Sequence, residues 1–312
     1  MSPQESPRRV VSSSPTFGRY SEEPIDLLKG AGCSVDLVER GDSDTLAKAL
    51  LTANVWIAGF EPVDHSTLEH AEKIEVVAKC GAGLDNFDLD YLRHRGIAVV
   101  SVPGGNSLAV AEYAMTQILT LARGSVANNS AVRTGTWKPN VGMGLEGRTL
   151  GIVGFGAIGR LLSSLAIAFG MRVIVADPLV DAATAEANHV KVVDLSALLG
   201  QSDVVSLHVP LSDKTRHLIG ETELAQMRRH ALLINDSRGG VVDELALQRA
   251  LAAGSIGGAA LDVFETEPVP TNSPLLGAPN LIVSPHTAGY SDSALAAVTL
   301  SCATSVLEAL RT

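Results

Sequence analysis

Aromatic residues make up only 4% of this 312-residue chain, and cysteine is scarcer still, with three. Cys33, Cys80 and Cys302 are scattered and odd in number. That excludes a disulfide framework and points to a reduced, cytoplasmic protein. Every long apolar run is broken by Gly, Arg or Asp before it reaches the roughly 18 residues a membrane helix needs, so no membrane partner is expected. The start, MSPQESPRRVVSSS, lacks the apolar core of a signal peptide. Positive charge is in deficit: 24 Lys and Arg against 34 Asp and Glu leave a net charge of −10, with no dense Lys/Arg stripe, which argues against a nucleic-acid partner. The eight histidines never pair closely with carboxylates or thiols at ligand spacing, so no metal site is legible.

Small and apolar residues are what the chain has in quantity, and these suit helices packed on a parallel sheet. The length suffices for two ordinary domains. After the first 13 or so residues, which are assigned no structure, a βα alternation begins. Helices are expected at 24–29, 43–51, 65–72 and 89–94, and strands at 34–37, 55–58, 74–78 and 97–100. A long helical run, SLAVAEYAMTQILTLAR from Ser107 to Arg123, and a second helix to about Thr134 then carry the chain between domains. Further strands are expected at 191–194, 203–207, 231–235, 257–261 and 281–284. A last apolar helix, Ser291 to Leu310, should return to the N-terminal domain. The expected fold is α/β, with two Rossmann-like, doubly wound parallel-sheet domains and a cleft between them. Residues 1–103 with 287–312 form a flavodoxin-like substrate domain in this reading, and residues 104–286 a Rossmann domain.

The most informative stretch is Thr149 to Arg160, TLGIVGFGAIGR. A short apolar strand runs into Gly154, Gly156 and Gly159, spaced G-x-G-x-x-G, and then into an apolar helix. The first Gly permits the tight turn, the second lets backbone approach a pyrophosphate, and the third lets helix pack on strand. Free N–H groups at the helix start, around Ala157 and Ile158, attract the anion. Asp177 lies 177 − 159 = 18 residues beyond the last Gly, at the end of the next strand. An acid there accepts from a ribose 2′-hydroxyl and repels a 2′-phosphate, so NAD is favoured over NADP. The alternative is a merely tight βα turn.

Nicotinamide chemistry also needs a proton donor or acceptor and a cation for a substrate carboxylate. In an open α/β sheet these come from loops at the carboxyl ends of strands. Three residues meet that condition. Arg238 follows the strand ending at Asn235 and can hold a carboxylate bidentately. Glu267 lies past the strand ending at Leu261, and His286 past the strand ending at Ser284. A carboxylate beside an imidazole fixes its tautomer and favours its charged form. Taken singly, the three could equally be a surface Arg, a solvated loop Glu and a structural His.

Together with the surrounding motifs they resemble the D-2-hydroxyacid dehydrogenases, closest to the D-3-phosphoglycerate dehydrogenase branch. The similar stretches are CGAGLDNFDLDYLRHRGI, VPGGNSLAVAEYA, GRTLGIVGFGAIGR, DVVSLHVPL, LLINDSRGGVVDELAL, GAALDVFETEP and SPHTAG, covering about 75 to 290 in order. The resemblance implies that Arg238, Glu267 and His286 are the catalytic triad. It also implies that Asp262 meets the nicotinamide carboxamide and that His208 and Pro210 border the cofactor. Gly81, Ala82 and Gly83 would hold the substrate carboxylate by backbone N–H groups, with Lys79 and Asn106 nearby. The implied partner is a small 2-hydroxy or 2-oxo acid.

The chain departs from the phosphoglycerate pattern in one loop. Relatives often carry Arg where this chain has Gly59-Phe60-Glu61-Pro62, so Lys79 is the remaining cation for a phosphate. The chain ends at Thr312 without an appended regulatory domain, so serine feedback through one is not expected. The resemblance further implies a homodimer in which the 107–145 segment embraces the partner. Two other readings compete with this one: an NAD(H)-sensing protein like the C-terminal-binding corepressors, which share the fold and keep the triad, and an enzyme acting on a non-acid such as phosphite or formate, which needs other anion-binding groups that the sequence does not advertise.

Overall fold

The computed structural model describes residues 7–39 and 41–311. These fall into two compact units, one extending to Asn106 and resuming at Tyr290, the other Ser107–Gly289. The changeovers lie three residues beyond the boundaries expected from sequence, 106 − 103 and 289 − 286.

The first unit contains β1 (Arg9–Ser12), α1 (Glu23–Gly30), β2 (Ser34–Leu37), α2 (Ser43–Leu50), β3 (Val55–Ala58), α3 (His65–Leu68), β4 (Val76–Lys79), α4 (Leu89–His94) and β5 (Ala98–Val100). Its five strands are all parallel, in the order β2-β1-β3-β4-β5. That order is the one of flavodoxin-like sheets, with its switch point between β1 and β3. Val10, Val55, Ile57, Val76 and Ala78 join one apolar layer, and their neighbours Val11, Trp56, Ala58 and Val77 join the other. Both faces are covered, so the strands read as continuous apolar runs rather than alternating ones.

Two sequence expectations fail here. The sequence pattern assigns no structure up to about residue 13, yet Arg9–Ser12 form β1, flanked by β2 and β3. A two-valine core among Ser, Pro and Arg carries little local signal, and burial between two strands makes it a strand. The part of that expectation covering residues 1–6 lies outside the described residues. The helix expected over 65–72 also stops after one turn at Leu68, where the Ala71 N–H bonds back to the Leu68 carbonyl at 3.1 Å.

The second unit contains α5 (Ser107–Ala122), α6 (Ser125–Arg133), β6 (Thr149–Val153), α7 (Ala157–Ala168), β7 (Arg172–Ala176), α8 (Ala182–Ala187), β8 (Lys191–Val192), α9 (Leu195–Gln201), β9 (Val204–Leu207), α10 (Glu221–Gln226), β10 (Leu232–Asn235), α11 (Glu244–Ala252), β11 (Gly258–Leu261) and β12 (Leu281–Val283). Its seven strands are parallel, in the order β12-β11-β10-β9-β6-β7-β8. Chain order reverses between β6 and β9, and ligands of open α/β sheets bind outside the carboxyl end at such a point. The last helix, α12 (Asp292–Ala309), belongs to the first unit. Its Val298, Cys302, Ala303 and Val306 pack with Val10, Phe17 and Val100.

Candidate active site

The glycine turn sits at the switch point of the second sheet. Gly154 leaves β6 with φ of 90°, and a Cβ there would lie 2.4 Å from the His208 carbonyl oxygen. A Cβ on Gly159 would lie 2.5 Å from the Gly154 oxygen, so α7 packs against its own turn. Gly156 differs, because a Cβ there meets no protein atom within 4 Å. It caps α7 without a side-chain hydrogen bond, leaving the N–H groups of Ala157 and Ile158 at a helix start with no side-chain cap. Two glycines are therefore required by packing and the third borders open space, which is the shape a dinucleotide pyrophosphate requires.

Asp177, just past β7, is tied to that turn. Its Oδ2 accepts from the Phe155 N–H at 2.7 Å and its Oδ1 from the Leu179 N–H at 2.8 Å. His208, just past β9, shares its Nε2 with the Ser206 hydroxyl at 2.9 Å, while its Nδ1 is buried without a partner among the described residues. Burial lowers the His208 pKa to about 4, so the ring is neutral at neutral pH. Pro210 is exposed, its carbonyl accepting from the Thr215 hydroxyl at 2.6 Å.

Three loops at the carboxyl ends of β10, β11 and β12 carry the remaining candidates of this unit. Asn235 organises the first, accepting from the Ser237 N–H and hydroxyl and donating to the Arg238 carbonyl at 3.0 Å. At Gly239 this loop approaches the second so closely that a Cβ would lie 1.8 Å from the Phe264 oxygen. The Phe264 N–H in turn donates to Glu267 Oε1 at 3.0 Å. Glu267 Oε2 lies 2.8 Å from His286 Nδ1. Burial raises the Glu267 pKa, but the His286 hydrogen bond and charge, the Phe264 N–H and the Arg238 charge outweigh it, and the net shift is downward. Arg238, Glu267 and His286 thus belong to one electrostatic group.

Asp262 is fully buried and holds the third loop. Its Oδ1 accepts from the Ser284 hydroxyl at 2.6 Å and the Thr287 N–H at 2.8 Å, and its Oδ2 from the Ala288 N–H at 2.7 Å. This network fixes the turn on which His286 sits with a positive φ of 55°. The sequence did not single out the buried pair behind it, Asp236 and Gln117. An acid next to Ser237 and Arg238 reads as part of a polar loop, and only the packing of α5 shows it to be enclosed.

The other candidates lie in the first unit. Gly81 takes φ of 152°, and its carbonyl accepts from the Val102 N–H at 2.8 Å, bracing the loop through Ala82 and Gly83. Asn106 is half-buried at the end of that unit's first segment. Lys79 points its ammonium at the Gly59 carbonyl and at Asn86 Oδ1, and lies 5.2 Å from the Phe60 ring centre. Glu61 folds back to accept from the Ser13 hydroxyl and the Gly59 N–H at 3.0 and 3.1 Å.

Residues 115–288 match the family model described as D-isomer specific 2-hydroxyacid dehydrogenase, NAD binding domain. The chain belongs to this family. A (S)-sulfolactate dehydrogenase of Chromohalobacter salexigens is 46% identical over 73% of this chain and 74% of that protein. A D-3-phosphoglycerate dehydrogenase of Methanocaldococcus jannaschii is 37% identical over 93% of this chain, but the chain spans only 56% of that relative. Among solved structures, the D-lactate dehydrogenase of Aquifex aeolicus complexed with NAD and lactic acid superposes with a TM-score of 0.85 at 27% identity, covering 97% of this chain and 96% of that one. The second unit of this dehydrogenase-family chain is its NAD-binding domain, and NAD is the cofactor.

Proposed function

We propose that the chain is an NAD-dependent oxidoreductase interconverting a small D-2-hydroxy acid and its 2-oxo acid. The observation that carries this reading is the Glu267–His286 pair, with Arg238 on the adjoining loop, in the domain that bears the NAD turn. Bound NAD supplies the hydride acceptor at nicotinamide C4, and NADH the donor. Gly154, Gly156, Ala157, Ile158 and Gly159 hold the pyrophosphate, Asp177 the ribose, and Asp262 the carboxamide, with His208 and Pro210 bordering the cofactor. His286 Nε2, the nitrogen not facing Glu267, takes the hydroxyl proton in oxidation and returns it in reduction. Glu267 holds the tautomer that makes this possible and stabilises the imidazolium. Arg238 binds the substrate carboxylate and steadies the carbonyl oxygen as charge grows there. The loop Gly81, Ala82 and Gly83, with Asn106, takes part in carboxylate binding.

The substrate is read as unphosphorylated. Lys79 is engaged by Gly59, Asn86 and the Phe60 ring, so a phosphate would have to displace these contacts. Curated relatives include a glyoxylate reductase of Korarchaeum cryptofilum and a hydroxypyruvate reductase of Thermotoga maritima, both named for short 2-oxo acids. The test is NADH oxidation, followed by absorbance, with glyoxylate, hydroxypyruvate, pyruvate and 3-phosphohydroxypyruvate. Turnover of an unphosphorylated acid supports the reading. Preference for the phosphorylated one, lost in Lys79→Ala, overturns its substrate half. NADH binding without turnover of any acid overturns the enzyme and leaves an NAD(H)-binding protein.

The reading extends to a homodimer and to the cytoplasm. Helix α6 buries none of its residues, and beyond it Trp137 is 86% and Val141 96% exposed. Apolar groups displayed on an unburied arm fit a second copy of the chain. A sedimentation mass equal to one chain would contradict the dimer.

A further inference from the structure

One buried ionisable group lies among the catalytic loops without a part in the proposed chemistry. Asp236 follows β10 and is 7% exposed. It meets Gln117 of α5, itself buried. Turned to present its nitrogen, the Gln117 amide donates to the two Asp236 oxygens at 2.9 and 3.3 Å. Turned the other way, its oxygen accepts from the O–H of a protonated Asp236, so the amide serves either state. From the end of β11 the group facing Asp236 is the Asp262 carboxylate, one position beyond the paired Asn235 and Leu261.

Two enclosed, neighbouring carboxyl groups do not both ionise cheaply. The surroundings of the two differ. Asp262 accepts from one hydroxyl and two backbone N–H groups, which hold it in place. Asp236 has only the adaptable amide. Burial, and then the Asp262 charge, push Asp236 up to about 8.

We propose that Asp236 is a positioning residue: as a neutral acid it leaves Asp262 undisturbed to hold the 284–288 turn, and when ionised it repels Asp262 and loosens the turn that carries His286. Insofar as Asp262 also meets the carboxamide, which rests on the function proposed above, NADH affinity follows the same proton. The charge state of one buried side chain then governs the geometry of the catalytic histidine.

The direct test needs no substrate. In the protein without cofactor, the amide resonances of Thr287 and Ala288 should titrate with a midpoint near 8. In Asp236→Asn, which is permanently neutral, they should not move over that range. The NADH dissociation constant, read by fluorescence, should rise at least about tenfold between pH 7 and pH 9.5 in the parent and stay constant in Asp236→Asn. Amides that do not titrate in the parent, or that titrate identically in the variant, overturn the proposal. Amides that titrate while NADH affinity stays constant overturn the link to the cofactor. Failure to bind NADH at any pH would count against the function proposed above, and the amide titration would still decide the role of Asp236.

Discussion

His286 Nδ1 and Glu267 Oε2 lie 2.8 Å apart, although 19 residues separate them in the chain. The carboxylate can therefore hold the imidazole with its other nitrogen presented for proton transfer, and Arg238 contributes charge to the same group. His286→Ala or Arg238→Ala should lower kcat/KM by at least about 10²-fold while NADH still binds. Glu267→Gln should lower it in the same sense, because an amide holds the ring but does not stabilise its charge. Steady-state kinetics beside NADH fluorescence checks this, and near-normal turnover in His286→Ala would sink the assignment. The Glu267 pKa is depressed, so its charge is present through neutral pH and is lost only as pH falls through that depressed value.

Gly156 and Gly159 should respond differently to the same methyl group. Gly159→Ala forces a Cβ to within 2.5 Å of the Gly154 oxygen and should destabilise the fold by about 1–3 kcal/mol. Gly156→Ala meets no protein atom. It should melt within about 0.5 kcal/mol of the parent and lose NADH affinity, because the methyl stands where the pyrophosphate approaches. Thermal melts beside NADH titrations separate the two. Unchanged affinity in Gly156→Ala would remove the phosphate from this turn.

Charge at Asp177 should decide between the dinucleotides. Asp177→Asn retains an oxygen for the backbone N–H groups of Phe155 or Leu179 but removes the repulsion of a 2′-phosphate. The preference for NADH over NADPH, measured as a ratio of dissociation constants, should shrink by about tenfold or more. An unaltered ratio would show that another group reads the ribose.

Asp203 is a stability element at the opposite end of the same sheet. With its side chain 3% exposed, it accepts from the Thr149 N–H at 2.8 Å, and Arg148, Arg228 and His230 reach it at 3.3, 3.1 and 2.7 Å. Burial raises its pKa, but the bonds from His230, Thr149 and Arg228 outweigh it and lower the value to about 2. A depressed folded pKa contributes stability above the ordinary carboxylate range, and that stability is lost as pH falls from about 4 towards 2. Because Arg148, Arg228 and His230 are about half-exposed and screened by solvent, the contribution at neutral pH is on the order of 1–2 kcal/mol. Asp203→Ala should cost about 3 kcal/mol or more in denaturant unfolding at pH 7. Much of that penalty should be absent near pH 2.

Asp236 has the opposite linkage. Its folded pKa is raised to about 8, so the unfolded chain gives up its proton first and stability falls as pH rises from about 4 to 8. Asp236→Asn is freed of that penalty. It should melt above the parent at pH 8, by at least about 1 kcal/mol, with the gap closing towards pH 4. A gap independent of pH would mean that Asp236 is already ionised in the folded protein.

Much of this molecule is local enough to be written in sequence. Val55–Ala58 is continuously apolar because parallel sheets are covered on both faces, and G-x-G-x-x-G with Asp177 marks a dinucleotide turn because only backbone and a short acid are needed there. Resemblance to known motifs then gathered Arg238, Glu267 and His286. What local pattern could not express is burial and contact between distant segments. Arg9–Ser12 became a strand only between β2 and β3. Gly239 is required because Phe264 presses on it. Lys79 reads as a free cation until Gly59, Asn86 and Phe60 close around it. Asp236 looks like a loop acid until Gln117 and Asp262 enclose it. Sequence determined the glycine turn proposed to hold the cofactor, because its residues lie within some twenty consecutive positions. The charge state of a carboxyl group depends on what excludes water from it, and only the tertiary structure decided that.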